Sequence, residues 1–155
     1  MLKPGAKAPA FSLPSDGGDT ISLKDLKGKT VVLYFYPKDD TSGCTTEACE
    51  FRDSWTAVKA AGAVVLGVSP DGVASHQKFR AKYKLPFPLL ADQDHAVAER
   101  YGVWGEKSMY GRKYMGIIRS TFIVDGDGLI QKIFTRVKPK GHAAEVLASV
   151  REGAL

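Results

Sequence analysis

The sequence predicts an α/β fold in which a central mixed β-sheet is flanked by helices. Strand-like and helix-like segments alternate along the chain, which is typical of parallel strands joined by crossover helices. Near the carboxyl end, two strand-like segments instead flank a turn at 125–128, and this spacing predicts an antiparallel hairpin. With 155 residues, 44% of them hydrophobic and 25% charged, the chain can bury the core of a single domain spanning 1–155.

The first predicted elements are a strand, a helix and a second strand. Residues 30–36 are β-branched, aromatic or leucine throughout, which predicts a strand buried on both faces that ends at Pro37. Over 45–61, apolar residues recur at three- and four-residue steps, which predicts one helix closed by Gly62. Residues 63–68 repeat the pattern of a buried strand.

The remaining elements continue the alternation. They are a helix over 73–83, a strand over 87–92, a short helix over 94–101 capped by Asp94, hairpin strands over 121–124 and 129–134, and a last helix over 143–150.

The charge of the chain is mildly basic and dispersed. Lys and Arg number 22 against 17 Asp and Glu, which gives a net charge of +5. A nucleic-acid-binding protein usually has a denser basic stripe interleaved with aromatic residues. We therefore expect a solvated basic face and no nucleic-acid partner, although a positive field also suits a bound anion.

The sequence has no sign of a membrane anchor or a metal centre. No apolar run approaches the ~18 residues of a membrane span, and the first residues lack the apolar stretch of a secretory signal. Two cysteines in such a chain do not form a structural disulfide framework, because the cytosol is reducing. The three histidines show no metal-ligand spacing. We expect a cytoplasmic protein without a membrane partner and without a bound metal.

The segment 37–49 contains the candidate reactive residues of the sequence. It joins the end of a buried strand to the start of a helix, which is where α/β sheets position their sites. Cys44 falls in the first helical turn, where unpaired N–H groups and the helix dipole favour a reactive thiolate. Thr41, three residues earlier, brings a hydroxyl within hydrogen-bonding reach of the sulfur. The alternative is an inert cysteine buried at a helix start.

The second cysteine, Cys49, follows five residues later in the same predicted helix. Five residues of an ideal helix rotate by about 500°, so the two side chains point about 140° apart. Their Cα atoms are then more than ~7 Å apart, too far for a disulfide without backbone movement. Ser42, Gly43 and Thr45 are poor helix formers, so we expect the first turns to unwind if the sulfurs meet.

Three motifs in the expected order carry a family resemblance that covers nearly the whole chain. The motif P-x-x-x-T-x-x-C at 37–44 resembles the active-site motif of the peroxiredoxins, thiol-dependent peroxidases with a thioredoxin-like fold. Residues 5–11 resemble the family's N-terminal signature. Residues 101–107, with 119–125, are similar to the peroxiredoxin Q or bacterioferritin-comigratory-protein group. The resemblance implies a thioredoxin-like fold.

The resemblance also implies roles for individual residues. Cys44 is implied to be the peroxidatic nucleophile, and Cys49 the resolving cysteine that forms an intramolecular disulfide with it. Thr41 is implied to hydrogen-bond the thiolate and the peroxide. Arg119 is implied to stabilise the thiolate and the leaving oxygen; without the resemblance, it would be interpreted as a surface arginine at a strand start.

Three further residues are implied to support this site. Pro37 is expected to shield the pocket from water, and Glu47, one helical turn after the cysteine, to orient the arginine. The backbone N–H groups around Gly43 are expected to stabilise developing negative charge.

The implied activity is the reduction of hydrogen peroxide and alkyl hydroperoxides, with recycling by thioredoxin or a similar dithiol protein. The resemblance implies a monomer and calls for no cofactor. One alternative is a disulfide oxidoreductase of the thioredoxin class, which normally uses Cys-x-x-Cys where this chain has four intervening residues. Another is a non-catalytic basic binding module or a redox-inert chaperone.

Some polar and aromatic residues have simpler interpretations. Asp39 and Asp40 are expected in a solvated loop, and His76 and His95 at the surface. The aromatic and basic segment 107–114 is expected either to contact a reductase or to cover the active site.

Overall fold

A five-stranded mixed β-sheet forms the centre of the fold in the computed structural model, which describes residues 2–153. The strands are β1 (Ser12–Pro14), β2 (Thr20–Ser22), β3 (Thr30–Phe35), β4 (Ala63–Ser69), β5 (Leu89–Ala91), β6 (Trp104–Met109), β7 (Arg112–Ile117), β8 (Ser120–Val124) and β9 (Ile130–Phe134). The helices are α1 (Ser42–Asp53), α2 (Trp55–Ala60), α3 (Val73–Tyr83), α4 (Ala96–Arg100) and α5 (His142–Gly153), with a 3-10 turn at Leu23–Leu26.

The central sheet has the strand order β5-β4-β3-β8-β9. Strands β3, β4 and β5 are parallel, whereas β8 pairs antiparallel with both β3 and β9. The predicted mixed sheet and its hairpin are therefore confirmed. Because β3 is the middle strand, the loop that leaves its carboxyl end starts between parallel and antiparallel neighbours.

Strand β3 is buried on both faces, as its composition predicts. Leu33 and Phe35 belong to the apolar cluster on one face of the sheet, and Tyr34 and Tyr36 to the cluster on the other. This division follows from the two-residue period of a strand. The second cluster also contains Phe51 of α1, so the helix that carries the cysteines packs directly on the sheet.

The prediction of one helix over 45–61 is wrong. The helix begins earlier, at Ser42, and it is divided into α1 and α2 at Ser54, whose backbone has φ −93° and ψ 0°. Asp53 and Ser54 have low helix propensity and are not buried, so neither propensity nor packing carries the helix across this point. Gly62, at φ +84°, follows the second helix in the left-handed conformation expected of a closing glycine.

Two hairpins outside the central sheet, β1–β2 and β6–β7, were not predicted. Most residues of β6 and β7 are exposed or half-buried, so the pair lacks the alternating burial that marks a strand in sequence. The hairpin β6–β7 spans the aromatic and basic segment 107–114 and leads through Ile118 to Arg119.

The short strand β5 and the short helix α4 have narrower bounds than the sequence predicts. Strand β5 covers only Leu89–Ala91, because Pro88 precedes it and cannot donate a ladder hydrogen bond. Helix α4 begins at Ala96, and its first turn is capped mainly by Asp92, which accepts hydrogen bonds from the N–H groups of Val97 and Ala98. No helix within residues 2–153 has both the length and the apolar character needed to cross a lipid bilayer.

Candidate active site

Cys44 lies at the start of α1, immediately after the loop that leaves the central strand. It is the third residue of the helix, and only 1% of its surface is exposed. Thr41 is the N-cap residue, so the N–H groups of the first helical turn, which contains Cys44, have no intrahelical acceptor and place positive partial charge at this end of the helix. The thiol therefore occupies the helix-start environment that the sequence predicts.

Arg119 connects the thiol to a buried carboxylate. Its Nη2 atom donates to Cys44 Sγ at 3.2 Å, and its Nη1 atom donates to Glu47 Oε1 at 2.6 Å. Glu47 follows the cysteine by three residues, which places both side chains on one face of α1. The guanidinium is 15% exposed and the carboxylate is fully buried, so the pair is largely shielded from water.

Gly43 leaves room for this arrangement. A Cβ atom at Gly43 would lie 3.2 Å from both Arg119 Nη2 and Pro139 Cγ. Any larger residue at this position would therefore push the arginine away from the thiol, or displace the loop that contains Pro139. The sequence identified Gly43 for its backbone N–H, and the structure adds a steric reason for the residue.

Burial dominates the electrostatics of Glu47. Removal from water raises the pKa of its carboxyl from 4.5 to about 7, against the lowering effect of the Arg119 guanidinium. Its second oxygen, Oε2, has no hydrogen-bond partner among the described residues. The arginine is thus held by a carboxylate whose charge changes near neutral pH.

A second cation, Lys107 of β6, lies within electrostatic reach of the site. Burial and the positive charge of Arg119 lower the pKa of Lys107, while Cys44 raises it. The side chain is half-buried against the aromatic ring of Tyr114, 6.0 Å from the ring centroid. Lys107 belongs to the segment 107–114, which the sequence predicts either to contact a reductase or to cover the active site, but the local pattern of an exposed hairpin assigns no individual role to this lysine.

Thr41 and Pro37 flank the site without contacting the thiol through a hydrogen bond. The Thr41 hydroxyl donates to the carbonyl oxygen of Lys38 at 2.8 Å, so its expected hydrogen bond to the sulfur is not formed. Its extended N-cap backbone, with ψ 157°, lets the side chain turn back towards the preceding loop. Pro37 is half-buried at the start of this loop.

Cys49 lies farther along α1, and both thiols are free. The helix is continuous from Ser42 to Asp53, so the two cysteines occupy different sides of it. Cys44 belongs to the core cluster beneath the helix, whereas Cys49 is half-buried outside it. The structure brings Cys44, Glu47 and Arg119 together and keeps Cys49 apart.

The expectation of solvated Asp39 and surface His76 is wrong. Asp39 is buried and accepts hydrogen bonds from Tyr36 Oη at 2.5 Å and Ser75 Oγ at 2.8 Å, and its carboxylate lies 2.7 Å from His76 Nδ1. The other ring nitrogen of the fully buried histidine donates to the carbonyl oxygen of Leu90 at 2.8 Å. These bonds tie the loop before Cys44 to α3 and β5.

The adjacent Asp40 strengthens the same attachment. Its carboxylate accepts hydrogen bonds from Lys82 Nζ and Tyr83 Oη, both at 2.7 Å, at the end of α3. Arg52, near the end of α1, donates to the carbonyl oxygen of Tyr83 at 2.8 Å. The two ends of the cysteine-containing segment are therefore held by one helix.

Asp39, Asp71 and His76 are the one group of potential metal ligands in the described part of the chain, with donor atoms within 4.8 Å of one another. All three side chains already form hydrogen bonds. Asp39 and His76 contact each other, and Asp71 Oδ2 accepts hydrogen bonds from the Asp39 N–H at 2.8 Å and from Ser69 Oγ at 2.6 Å. The donors therefore stabilise one another as a hydrogen-bonded network and do not form an open coordination site.

The comparisons with known proteins agree with this geometry. Residues 4–133 match the model of the AhpC/TSA family. A putative peroxiredoxin bcp of Coxiella burnetii is 56% identical over 146 residues, which cover 94% of this chain and 97% of the relative. Peroxiredoxin Bcp of Bacillus subtilis is 51% identical over 148 residues, covering 96% and 94% of the two chains.

Solved structures extend the similarity to the whole fold. A bacterioferritin comigratory protein of Xanthomonas campestris is 41% identical with a TM-score of 0.89, covering 94% of this chain and 92% of its own. A mutant of Xylella fastidiosa PrxQ is 36% identical with a TM-score of 0.94, covering 100% and 99%. These neighbours have the thioredoxin fold, which confirms the predicted fold class. The chain belongs to the AhpC/TSA family, in its peroxiredoxin Q or bacterioferritin-comigratory-protein group, and is a thiol-dependent peroxidase.

Proposed function

We propose that Cys44 reduces hydrogen peroxide and alkyl hydroperoxides. The Cys44 thiolate attacks the terminal peroxide oxygen, the O–O bond breaks, and the products are a cysteine sulfenic acid and an alkoxide or hydroxide that takes a proton from solvent. The observation that carries this proposal is the 3.2 Å contact between Arg119 Nη2 and Cys44 Sγ at a helix start. The solved Xanthomonas campestris relative is described as having alkyl peroxide reduction activity, which supports the substrate class.

The arginine has two parts in the proposed reaction. Its positive charge stabilises the thiolate before attack and the charge that develops on the leaving oxygen. Glu47 holds the guanidinium in place from the opposite side. The N–H groups at Gly43 and Cys44 add to the stabilisation of negative charge. In the proposal, Thr41 breaks its bond to Lys38 and donates to the bound peroxide, and Pro37 limits the access of water.

Cys49 is proposed to resolve the sulfenic acid. Its thiol condenses with the Cys44 sulfenic acid, which forms the Cys44–Cys49 disulfide and releases one water molecule. The continuous helix separates these side chains, so the first turns of α1 must unwind before they react. The break at Ser54 favours this movement, because α2 is a separate helix and can stay folded while α1 unwinds.

A dithiol protein of the thioredoxin type is proposed to complete the cycle by reducing this disulfide. We also propose that the enzyme acts as a monomer in the cytoplasm, as its resemblance to the peroxiredoxin Q group implies. A disulfide oxidoreductase activity is less well supported, because four residues separate the cysteines.

Intact mass after one equivalent of hydrogen peroxide tests the two cysteines. Fully reduced wild-type protein should lose two hydrogens within seconds, Cys49→Ser should gain one oxygen at Cys44, and Cys44→Ser should not change.

In steady state, Cys44→Ser should abolish thioredoxin-driven peroxide turnover, and Cys49→Ser should block recycling after one rapid turnover. Oxygen uptake at Cys44 in the wild type, with no loss of hydrogens, would contradict the resolving role. Insulin reduction without peroxide turnover would favour the oxidoreductase alternative.

A further inference from the structure

Four basic residues line an open cleft of about 600 Å³ between the end of β9 and the start of α5. They are Lys132, Arg136, Lys138 and Lys140, all of them exposed, and we call this surface the basic cleft. The proposed reaction does not use any of the four. Their concentration at one place contrasts with the dispersed charge in the rest of the sequence.

The positive charge of the basic cleft is not neutralised internally. None of its four cations forms a salt bridge within residues 2–153. The two acids at its margin are engaged: Glu145 Oε1 is 2.6 Å from His142 Nδ1, and Glu50 Oε1 accepts the N–H of Gly141 at 2.8 Å. The cleft therefore presents an excess of positive charge to solvent.

The basic cleft lies directly beside the active site. The N–H of Val137 donates to the carbonyl oxygen of Arg119 at 3.0 Å. Pro139, between Lys138 and Lys140, approaches within 3.2 Å of the Cβ position of Gly43, which adjoins Cys44. The loop that carries two of the cations, Lys138 and Lys140, is therefore adjacent to Gly43, while the cations themselves are exposed to solvent.

A protein interface is large enough that any macromolecular reductant bound over Cys44 also contacts the basic cleft. A stable complex buries about 800 Å² per partner, equivalent to a disc with a radius of roughly 16 Å. A disc of that size centred on Cys44 includes the neighbouring loop with Lys138 and Lys140. Hydrogen peroxide and alkyl hydroperoxides carry no net charge, so an exposed cluster of cations serves a charged partner better than it serves these substrates.

We propose that the basic cleft docks the acidic surface of the dithiol protein that reduces the Cys44–Cys49 disulfide. This inference rests on the proposed function. A partner thiolate attacks one sulfur of the disulfide, forms a mixed disulfide and releases the other cysteine as a thiolate; the second partner thiol then displaces the first cysteine. Two electrons and two protons pass to the Cys44–Cys49 disulfide, and the partner protein dissociates in its oxidised, disulfide form. Opposite charges accelerate encounter and select this partner.

A nucleic acid fits the basic cleft less well. Binding to single strands usually relies on exposed aromatic side chains that stack on bases. Phe134, the aromatic residue of this cleft, is half-buried, and Lys132 Nζ lies 5.6 Å from its ring centroid.

The test compares a macromolecular and a small reductant. The variant is Lys138→Gln/Lys140→Gln, and the probes are a thioredoxin of net negative charge and dithiothreitol. With thioredoxin, kcat/KM should fall by on the order of 3- to 10-fold, since charges at an interface rim act mainly on association. Turnover driven by dithiothreitol should be unchanged. In ~0.5 M salt the difference between variant and wild type should disappear, because the Debye length is then only a few ångströms.

The matched control is Lys24→Gln/Lys27→Gln. It removes the same charge from exposed lysines near Val31, at the opposite end of β3, which is about 20 Å long. This control should keep wild-type turnover with both reductants. Equal losses in the two double variants, or no loss in either, would overturn the docking proposal. If wild-type protein shows no peroxide turnover with dithiothreitol, the proposed function fails before docking is in question. Loss of single-stranded DNA binding in the cleft variant, with full thioredoxin turnover, would overturn the docking proposal and assign the cleft to nucleic acid.

Discussion

At the scale of single residues, the site depends on how two buried groups, the Cys44 sulfur and the Glu47 carboxyl, share one arginine. Arg119 lies between the Cys44 sulfur and the Glu47 carboxylate, and it donates one hydrogen bond to each. The carboxylate fixes the direction of the guanidinium, and it also competes with the thiolate for its positive charge. Burial of Glu47 limits that competition, because it stabilises the neutral form of the carboxyl up to about neutral pH.

This burial makes stability depend on pH in a particular direction. The pKa of Glu47 is about 7 in the folded protein against 4.5 ordinarily, so the folded state binds the proton more tightly. The resulting stabilisation is complete below about pH 4.5 and is lost as the pH rises through 7, with a ceiling of about 3 kcal/mol. The free energy of unfolding of wild type relative to Glu47→Gln should therefore decrease across this range in urea titrations.

The control for this prediction is Glu152→Gln, which alters an exposed carboxylate in α5. The difference in the free energy of unfolding between Glu152→Gln and wild type should stay nearly constant over the same pH range. A constant difference for Glu47→Gln as well would mean that Arg119 keeps the carboxylate ionised throughout.

At the scale of elements, two tyrosines at the carboxyl end of β3, one in the strand and one directly after it, differ in one hydrogen bond. Tyr34 and Tyr36 are fully buried on the same face, and their rings stack with centroids 5.4 Å apart. The Tyr36 hydroxyl donates to Asp39, whereas the Tyr34 hydroxyl has no partner among the described residues. A buried hydroxyl without a partner has lost its water without compensation.

The two tyrosines therefore form a matched pair of test sites. Tyr34→Phe should leave the free energy of unfolding unchanged or raise it by up to about 1 kcal/mol, because it removes an uncompensated polar atom. Tyr36→Phe should lower it by about 1 to 3 kcal/mol, because Asp39 loses a donor in a buried site. Urea denaturation at one pH measures both. Equal losses would show that the Tyr34 hydroxyl has an energetically useful partner.

At the scale of the whole molecule, the loop before Cys44 is fixed by parts of the chain that are distant in sequence. Asp39 pairs with His76, 37 residues away, and the histidine in turn reaches Leu90. Because a carbonyl oxygen only accepts, Nε2 carries a proton, and a further proton must lie between Nδ1 and the carboxylate. One ring thus joins the active-site loop, α3 and β5.

Breaking this connection should loosen the start of α1. His76→Phe leaves the buried Asp39 carboxylate without its one ionisable partner in the hydrogen-bonded network, and should lower the free energy of unfolding by about 3 to 5 kcal/mol. Hydrogen exchange should accelerate at the amides of residues 45–49, which are hydrogen-bonded in the first turns of α1, more than at those of β3. Ser75→Ala, which removes a hydroxyl donor to the same carboxylate, serves as the control and should have a smaller effect. Uniform acceleration throughout the protein would contradict a local role in holding the loop.

Features set by interactions between residues close in sequence were predicted correctly, whereas features set by packing between distant elements were not. The strands at 30–36 and 63–68 are confirmed because buried strands consist of β-branched and aromatic residues, whatever their neighbours. The single helix over 45–61 was wrong because the break at Ser54 depends on how α1 and α2 each pack against the sheet, through Phe51 on one side of the break and Val58 on the other. The exposed hairpin β6–β7 was missed because its strands bury too little to leave a period-two pattern.

The sequence by itself determined the five strands of the central sheet in their succession along the chain, and the position of Cys44 at a helix start. These features follow from periodicity, turn residues and helix polarity, all of which act over a few residues. The family resemblance implied that Arg119 and Glu47 act at the thiol, but only the tertiary structure decided the contacts that surround it. Arg119 reaches Cys44 across 75 residues, and the basic cleft adjoins it through Pro139. Such contacts depend on the packing of whole elements, and local pattern carries no record of them.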